Sequence, residues 1–263
     1  MRTERHGYHL VDNSPSPLIV SIGVLVITSG GVMYMHNYDR GGMVLSVGII
    51  YTIIGIIYWL REIVREGTYE GQHTKMVSKG IKLGFMLFIV SEVMFFVTFF
   101  FSYFWMSLGV SDSVGGVYPA IGIETVDAYK IPLLNTLILL LSGGTMTYAH
   151  HALIVEKREE ALRGMIITIG LAILFTAFQM YEYIEGKFSI SDSIYGSNFY
   201  LLTGFHGAHV ILGTIMLIVS MYRIYNYEMT SKKHVGFEVS AYYYHFVDVV
   251  WLGLFVIVYV YGS

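Results

Sequence analysis

Seven apolar stretches, each long enough to cross a bilayer, take up most of this 263-residue chain and decide the solvent in which it folds. They cover residues 18–35, 41–60, 83–105, 131–155, 164–181, 198–222 and 239–261. In hydrocarbon every backbone N–H and C=O must be bonded within the protein, which leaves helices or closed barrels. The runs are continuous and lack the period-2 alternation of barrel strands, so they read as helices. Composition agrees: 55% of residues are hydrophobic and 13% charged, about half the charge of a typical soluble domain. The mean hydropathy is +0.60. The expectation is an all-α integral membrane protein with seven transmembrane helices.

Charge placement gives an expected orientation. Arg2, Arg5, Arg61, Arg65, Lys75, Lys79, Lys82, Lys157, Arg158, Arg163, Arg223, Lys232 and Lys233 fall on one side of the seven spans. Only Arg40, Lys130 and Lys187 fall on the other. The positive-inside rule then puts the N-terminus on the matrix or cytoplasmic side and the C-terminus opposite. The first residues (Arg2, Glu4, Arg5, His6, His9 and Asp12) are too polar for a signal-peptide core. Either the first helix directs insertion or the protein is made beside its membrane. The chain has no Cys, which excludes disulfides, thiolate-held copper or iron–sulfur centres and covalently attached haem.

The first two helices form a hairpin over a short loop at 36–40, followed by a long basic loop at 61–82. Five helices follow. Among their connections only 107–130, with Gly115, Gly116, Pro119 and Gly122, is long and turn-rich. The division expected is residues 1–70, with helices I and II, and residues 71–263, with the basic loop and helices III–VII. No internal repeat of the kind that marks secondary transporters is visible. Gly204, Ala208, Ser142, Gly143, Gly144 and Gly164 are small enough for close helix approach.

Each polar group placed in hydrocarbon needs an explanation, because a charge at mid-bilayer costs at least about 2.5–3.5 kcal/mol. Glu92 is the clearest, flanked at helical spacing by Phe88, Ile89, Phe95 and Phe96. It reads as a proton-linked or headgroup-linked carboxylate, or as a neutral acid bonded to a carbonyl or Ser. His206 and His209 share a helix face, as do His245 and Asp248, and His150 and His151 close one helix. These residues suit metal or haem ligation, a proton relay, or interhelical hydrogen bonds that lock the bundle. At the end of the second helix Arg61, Arg65, Thr68, His73 and Lys75 offer donors at headgroup depth, as does Arg223 at the end of the sixth. Three functions fit these residues: an accessory subunit of a larger complex, a di-haem cytochrome using His150, His151, His206, His209 or His245, and a transporter centred on Glu92.

Longer motifs narrow the choice. They are Tyr8-His9-Leu10-Val11, Ser14-Pro15-Ser16-Pro17-Leu18, Ile63-Val64-Arg65-Glu66, Gly71-Gln72-His73-Thr74, Ser91-Glu92-Val93, Pro132-Leu133-Leu134-Asn135-Thr136 and Ala149-His150-His151. The most specific are Thr203-Gly204-Phe205-His206-Gly207-Ala208-His209-Val210 and Tyr244-His245-Phe246-Val247-Asp248-Val249-Val250-Trp251. In this order on a seven-helix scaffold the chain resembles subunit III of the haem–copper cytochrome c oxidases, over nearly its whole length. The resemblance implies two helices and five helices splayed in a V with phospholipid in the cleft. It implies a non-redox subunit with no haem, copper or other metal of its own, packed on subunit I, with subunit II and accessory subunits in the same complex. Subunit I would hold haem and pump protons as electrons pass from cytochrome c to oxygen, and subunit III would sustain proton uptake and protect it. Arg65, Glu66, Thr68, His73 and Arg223 would contact lipid, and Glu92 would be the buried carboxylate of the third helix. His151, His206, His209, His245 and Asp248 are expected to be interhelical structure and not metal ligands. The membrane would be the mitochondrial inner membrane, with a bacterial plasma membrane as the alternative. Three departures stand out: Leu60 where many relatives carry a second Trp, Gly67 in place of Ser, and Gln72 in place of His.

Overall fold

A computed structural model describes residues 7–109 and 116–262. Arg2 and Arg5 of the charge count, and Gly115 of the long connection, lie outside the described residues. Among the described residues seven helices are long and apolar enough to cross a membrane. They are α1 (Ser16–Met35), α2 (Gly41–Arg65), α3 (Lys75–Leu108), α4 (Ile131–Ile154), α5 (Arg158–Glu185), α6 (Ser193–Tyr225) and α7 (Val235–Leu254). A π-helical turn, Glu66–Glu70, extends α2, and a second, Phe255–Val260, extends α7.

The stretch read as a long basic loop is therefore mostly helix. α2 runs on through Arg61 and Arg65, and α3 begins at Lys75, leaving only four non-helical residues from Gly71 to Thr74. The reason is length. At 1.5 Å per residue the 34 residues of α3 span about 51 Å, well beyond a hydrocarbon core of roughly 30 Å. Charged residues at its start therefore stand outside the apolar layer without ending the helix. α6, with 33 residues, behaves alike.

Three helices end in the same way. The second residue past the end of α1, α4 and α6 (Asn37, Glu156 and Tyr227) has φ of 56°, 65° and 60°. In each, two backwards amide bonds close the turn: Tyr38 to the Met33 carbonyl, Lys157 to Ala152 and Glu228 to Arg223, with the inner bonds to Tyr34, Leu153 and Ile224. This satisfies carbonyls that would otherwise be left without donors at the helix end. None of the three is glycine, so the usual sequence signal for such a stop is missing. The α4 and α6 stops are also joined. Ser231 donates to Glu156 at 2.7 Å, and Arg158 donates to the Ile224 and Tyr225 carbonyls while its guanidinium covers the Tyr227 ring.

The contacts divide the chain into two compact units, Met1–Ile81 and Lys82–Ser263, with the boundary inside α3. In the first unit α1 and α2 pack along two stripes of small residues seven positions apart. Ser16, Gly23 and Gly30 are buried on α1, and Gly41, Gly48 and Gly55 on α2. A Cβ at Gly30 would lie 2.5 Å from the Leu45 amide nitrogen, and one at Gly48 would lie 2.8 Å from that of Ile27. Backbone meets backbone, the only route to close van der Waals contact where lipid removes the hydrophobic drive. The small residues singled out from sequence behave differently. Gly204 and Gly144 meet nothing within 4 Å and Ala208 is exposed, whereas Gly164 abuts Ala149 and Gly143 abuts Asp248.

In the second unit α7 is central: 56% of its most apolar stretch is buried, against 6% for α3. Trp251, Tyr243, Tyr244, Phe96, Phe175 and Phe199 form the interior. The outer face of α3 carries Leu83, Leu87, Val90, Met94, Val97 and Phe101, all exposed, as a ridge toward hydrocarbon.

Gly30→Val is expected to destabilise the protein by about 1–3 kcal/mol, because the added branches have backbone on their far side. Gly31→Val, which faces open space, should stay within about 0.5 kcal/mol. Thermal midpoints of the two variants check this, and equal midpoints would contradict the backbone packing.

Candidate functional site

Many polar groups within the second unit are paired across helices, and α7 with its π-helical extension supplies one member of several pairs. Going down one face of α7, the Ser240 hydroxyl meets Ser220 of α6 at 3.1 Å. Tyr244 meets Ser142 of α4 at 2.9 Å, and the Val247 carbonyl accepts from His206 Nε2 at 3.2 Å. Trp251 Nε1 donates to Thr136 Oγ1 of α4 at 2.9 Å. Beyond it the Tyr259 hydroxyl donates to Glu182 Oε1 of α5 at 2.6 Å. The alternation of four and three residues from Ser240 to Trp251 keeps these groups on one stripe. α7 is thereby bonded to α4, α5 and α6.

The carboxylate of Glu92 lies against His209 of α6, Nε2 to Oε2 at 2.9 Å, and not against a carbonyl or Ser. His209 Nδ1 faces the Phe205 carbonyl at 2.6 Å and must donate there, since a carbonyl only accepts. One proton remains for the contact between the two side chains, carried by either partner, so the pair is neutral as a unit. That neutrality makes it tolerable among Phe95, Phe96 and Tyr243. His206, fully buried, donates to Val247 and is enclosed by the Phe175 and Trp251 rings. His206 and His209 thus follow one another on α6 but serve different partners.

His245 Nδ1 and Asp248 Oδ2 are 3.6 Å apart, and Thr147 of α4 lies 3.4 Å from His245 Nε2. Asp248 reaches α4 because Gly143 has no side chain: a Cβ there would sit 2.5 Å from Oδ2. At the end of α4 His151 is exposed. Its neighbour His150 turns inward, against His234 and Phe237 with ring centroids 5.5 and 5.3 Å away. Adjacent helix positions differ by about 100°, so only one of the two can face the interior.

The first unit gathers its polar residues where α2 ends. Ser14 and Ser16, at the start of α1, both donate to Glu62 Oε2, which ties the two helix ends together. Arg65 Nε pairs with Glu70 Oε1 at 2.6 Å, and Gln72 Nε2 donates to Glu70 Oε2 at 2.9 Å. Glu66 Oε2 lies 3.6 Å from His9 and 3.9 Å from His73, and the two imidazoles meet edge to face at 5.3 Å. A cavity of about 370 Å³ opens among Asp12, Arg61, Glu62, Arg65, Glu66 and Glu70. Thr68 is half-buried in the π-helical turn beside it. Arg223, in the second unit, is turned onto Glu228 at 3.1 Å. On the far polar side the Tyr129 amide and then the Lys130 amine hold the Asp127 carboxyl below its ordinary range.

The family model described as cytochrome c oxidase subunit III matches residues 6–263. The chain belongs to the cytochrome c oxidase subunit III family. It is 53% identical to cytochrome c oxidase subunit 3 of Triticum aestivum over 263 residues, covering 100% of this chain and 99% of the other. The Arabidopsis thaliana protein of the same name is 52% identical over the same span, with the same coverage. That of Marchantia polymorpha is 51% identical over 261 residues, covering 99% and 98%. This chain is accordingly a subunit of cytochrome c oxidase, an oxidoreductase complex.

Within this subunit III two departures have local reasons. A Cβ at residue 67 would lie 2.6 Å from His73 Nδ1, so Gly67 lets the His73 imidazole lie against the turn. Gln72 supplies a neutral donor that Glu70 accepts. Leu60 is exposed. Sequence reasoning missed Glu182, placing it just past a span ending at 181, whereas α5 continues to Glu185 and buries it. It also missed the stripe on α7, although the spacing of Ser240, Tyr244 and Trp251 carried the signal.

Tyr259→Phe should lower stability by about 1–2 kcal/mol, near the upper end for an interhelical bond in a membrane, because it removes a donor from buried Glu182. Tyr261→Phe, at an exposed position, should stay within about 0.5 kcal/mol. Thermal unfolding of the two assembled variants makes the comparison, and no difference between them would refute the Glu182 pairing.

Proposed function

We propose that this chain is an accessory, non-redox subunit of the proton-pumping terminal oxidase, and that it holds phospholipid at the junction of α2 and α3. It packs on subunit I, beside subunit II and accessory subunits, sustaining proton uptake and the stability of the catalytic subunit. Haem and copper reside in those partners. The membrane is the mitochondrial inner membrane, with the N-terminus on the matrix side.

The observation that carries the lipid reading is the mixed charge at the first-unit cavity. Arg61 and Arg65 sit beside Asp12, Glu62, Glu66 and Glu70, with His73 adjacent. Guanidinium groups suit a phosphate, which they can grip bidentately. Carboxylates suit an ammonium. A zwitterionic headgroup, with both charges a few ångströms apart, matches this pattern better than a purely anionic one. The exposed apolar residues below, among them Ile53, Ile57 and Leu60, give acyl chains a surface to lie on. Supporting the accessory reading, His206 and His209 are engaged by Val247, Phe205 and Glu92 within the chain.

Replacing Arg65 and His73 together should lower the phospholipid retained per complex in mild detergent while haem content stays constant. Lipid phosphorus measured against haem absorbance gives the answer. Unaltered lipid content in the assembled double variant would remove the headgroup assignment.

A further inference from the structure

We propose that His150, His234 and Glu238 form a binding site for a divalent transition-metal ion of the zinc class, joining the end of α4 to the start of α7. One ligand atom from each residue lies within 4.8 Å of the other two. The site shares no residue with the headgroup cluster, lies at the helix ends, and departs from the expectation that the chain holds no metal of its own.

The placement of the donor atoms argues for a cation. His234 Nδ1 faces the Thr230 carbonyl at 2.9 Å and donates to it. That turns Nε2 toward Glu238 Oε1, 3.5 Å away and longer than an ordinary hydrogen bond. His150 Nε2 is buried and without a hydrogen-bond partner. A metal ion drawn in among the three residues engages all of these atoms at once.

The donor set selects the ion. Imidazole nitrogen with one carboxylate oxygen suits zinc and its neighbours in the first transition row, whereas calcium and magnesium demand oxygen shells. Three protein ligands leave a fourth tetrahedral position to water. The backbone carbonyl bonded to His234 Nδ1 is the kind of outer partner that fixes ring orientation in metal-binding histidines. Phe237 packs on His150 and shields one side. Lys82, at the start of the second unit, pairs with Glu238 Oε2, leaving Oε1 for the metal. Its charge opposes an ion at the site, so Lys82 acts as a competitor that sets the affinity.

The test uses the intact oxidase complex carrying this chain, freed of loosely held metal by a chelator and dialysed against Zn²⁺ alone. Zinc is counted per haem. The native complex should bind one Zn²⁺ that His234→Gln and Glu238→Gln each lose or weaken by at least about 10–100-fold, the cost of losing even an outer partner. Lys82→Met should tighten the same ion, and a large excess of Mg²⁺ should not displace it. Zinc binding by the assembled variants with the stoichiometry and affinity of the native complex would overturn the proposal. Anomalous diffraction at the zinc edge from the native complex needs no variant. A peak between His150 and His234 is expected, and none at saturating Zn²⁺ would overturn it.

Discussion

A polar side chain in hydrocarbon has no water to fall back on, and the second unit is organised around that constraint. Its helices are individually apolar enough to sit apart in lipid, so apolar surface alone does not choose which helix lies beside which. The choice is made by hydrogen bonds that can be satisfied in one arrangement only. α7 carries these in a stripe: Ser240, Tyr244, the Val247 carbonyl, Trp251 and Tyr259 each find a partner on α4, α5 or α6. The Glu92–His209 pair adds a bond from α3 to α6. Each bond is worth on the order of 0.6 kcal/mol on average in a membrane, but the alternative packings would strand several groups together.

The first unit solves the same problem by another route. α1 and α2 hold together through glycines whose backbones touch, and their polar residues are sent to the ends. There Glu62 binds the start of α1 through Ser14 and Ser16, and Arg61, Arg65, Glu66 and Glu70 line a cavity where α2 ends. Charge is thus kept where water and headgroups can reach it, and the intramembrane stretch is left to packing. The π-helical turn Glu66–Glu70 shifts the register of the polar residues it carries relative to a continuous α-helix.

Hydropathy made the seven helices legible, because hydrocarbon thickness imposes a length that a sequence shows directly. Helix ends were less legible. α3 extends eight residues before the apolar run, since a charged turn can remain helical outside the bilayer. The stops after α1, α4 and α6 use Asn37, Glu156 and Tyr227 where a glycine would have announced them. Among candidate site residues, Glu92, His206 and His209 could be picked out as polar groups in apolar surroundings, but their partners could not. The pairing of Glu92 with His209 depends on how α3 and α6 pack. Glu182 escaped notice because it sits where a hydropathy window ends, and His150, not His151, faces inward because helix rotation decides it.

The central claim is that this chain contributes helices, polar contacts and lipid to the oxidase, while the redox groups belong to its partners. Selective removal of this subunit from the purified complex tests it, with haem, copper and lipid phosphorus counted in both fractions. The account predicts that all haem and copper stay with the remaining complex and that phospholipid leaves with a colourless chain. Haem absorbance travelling with the separated chain would contradict it.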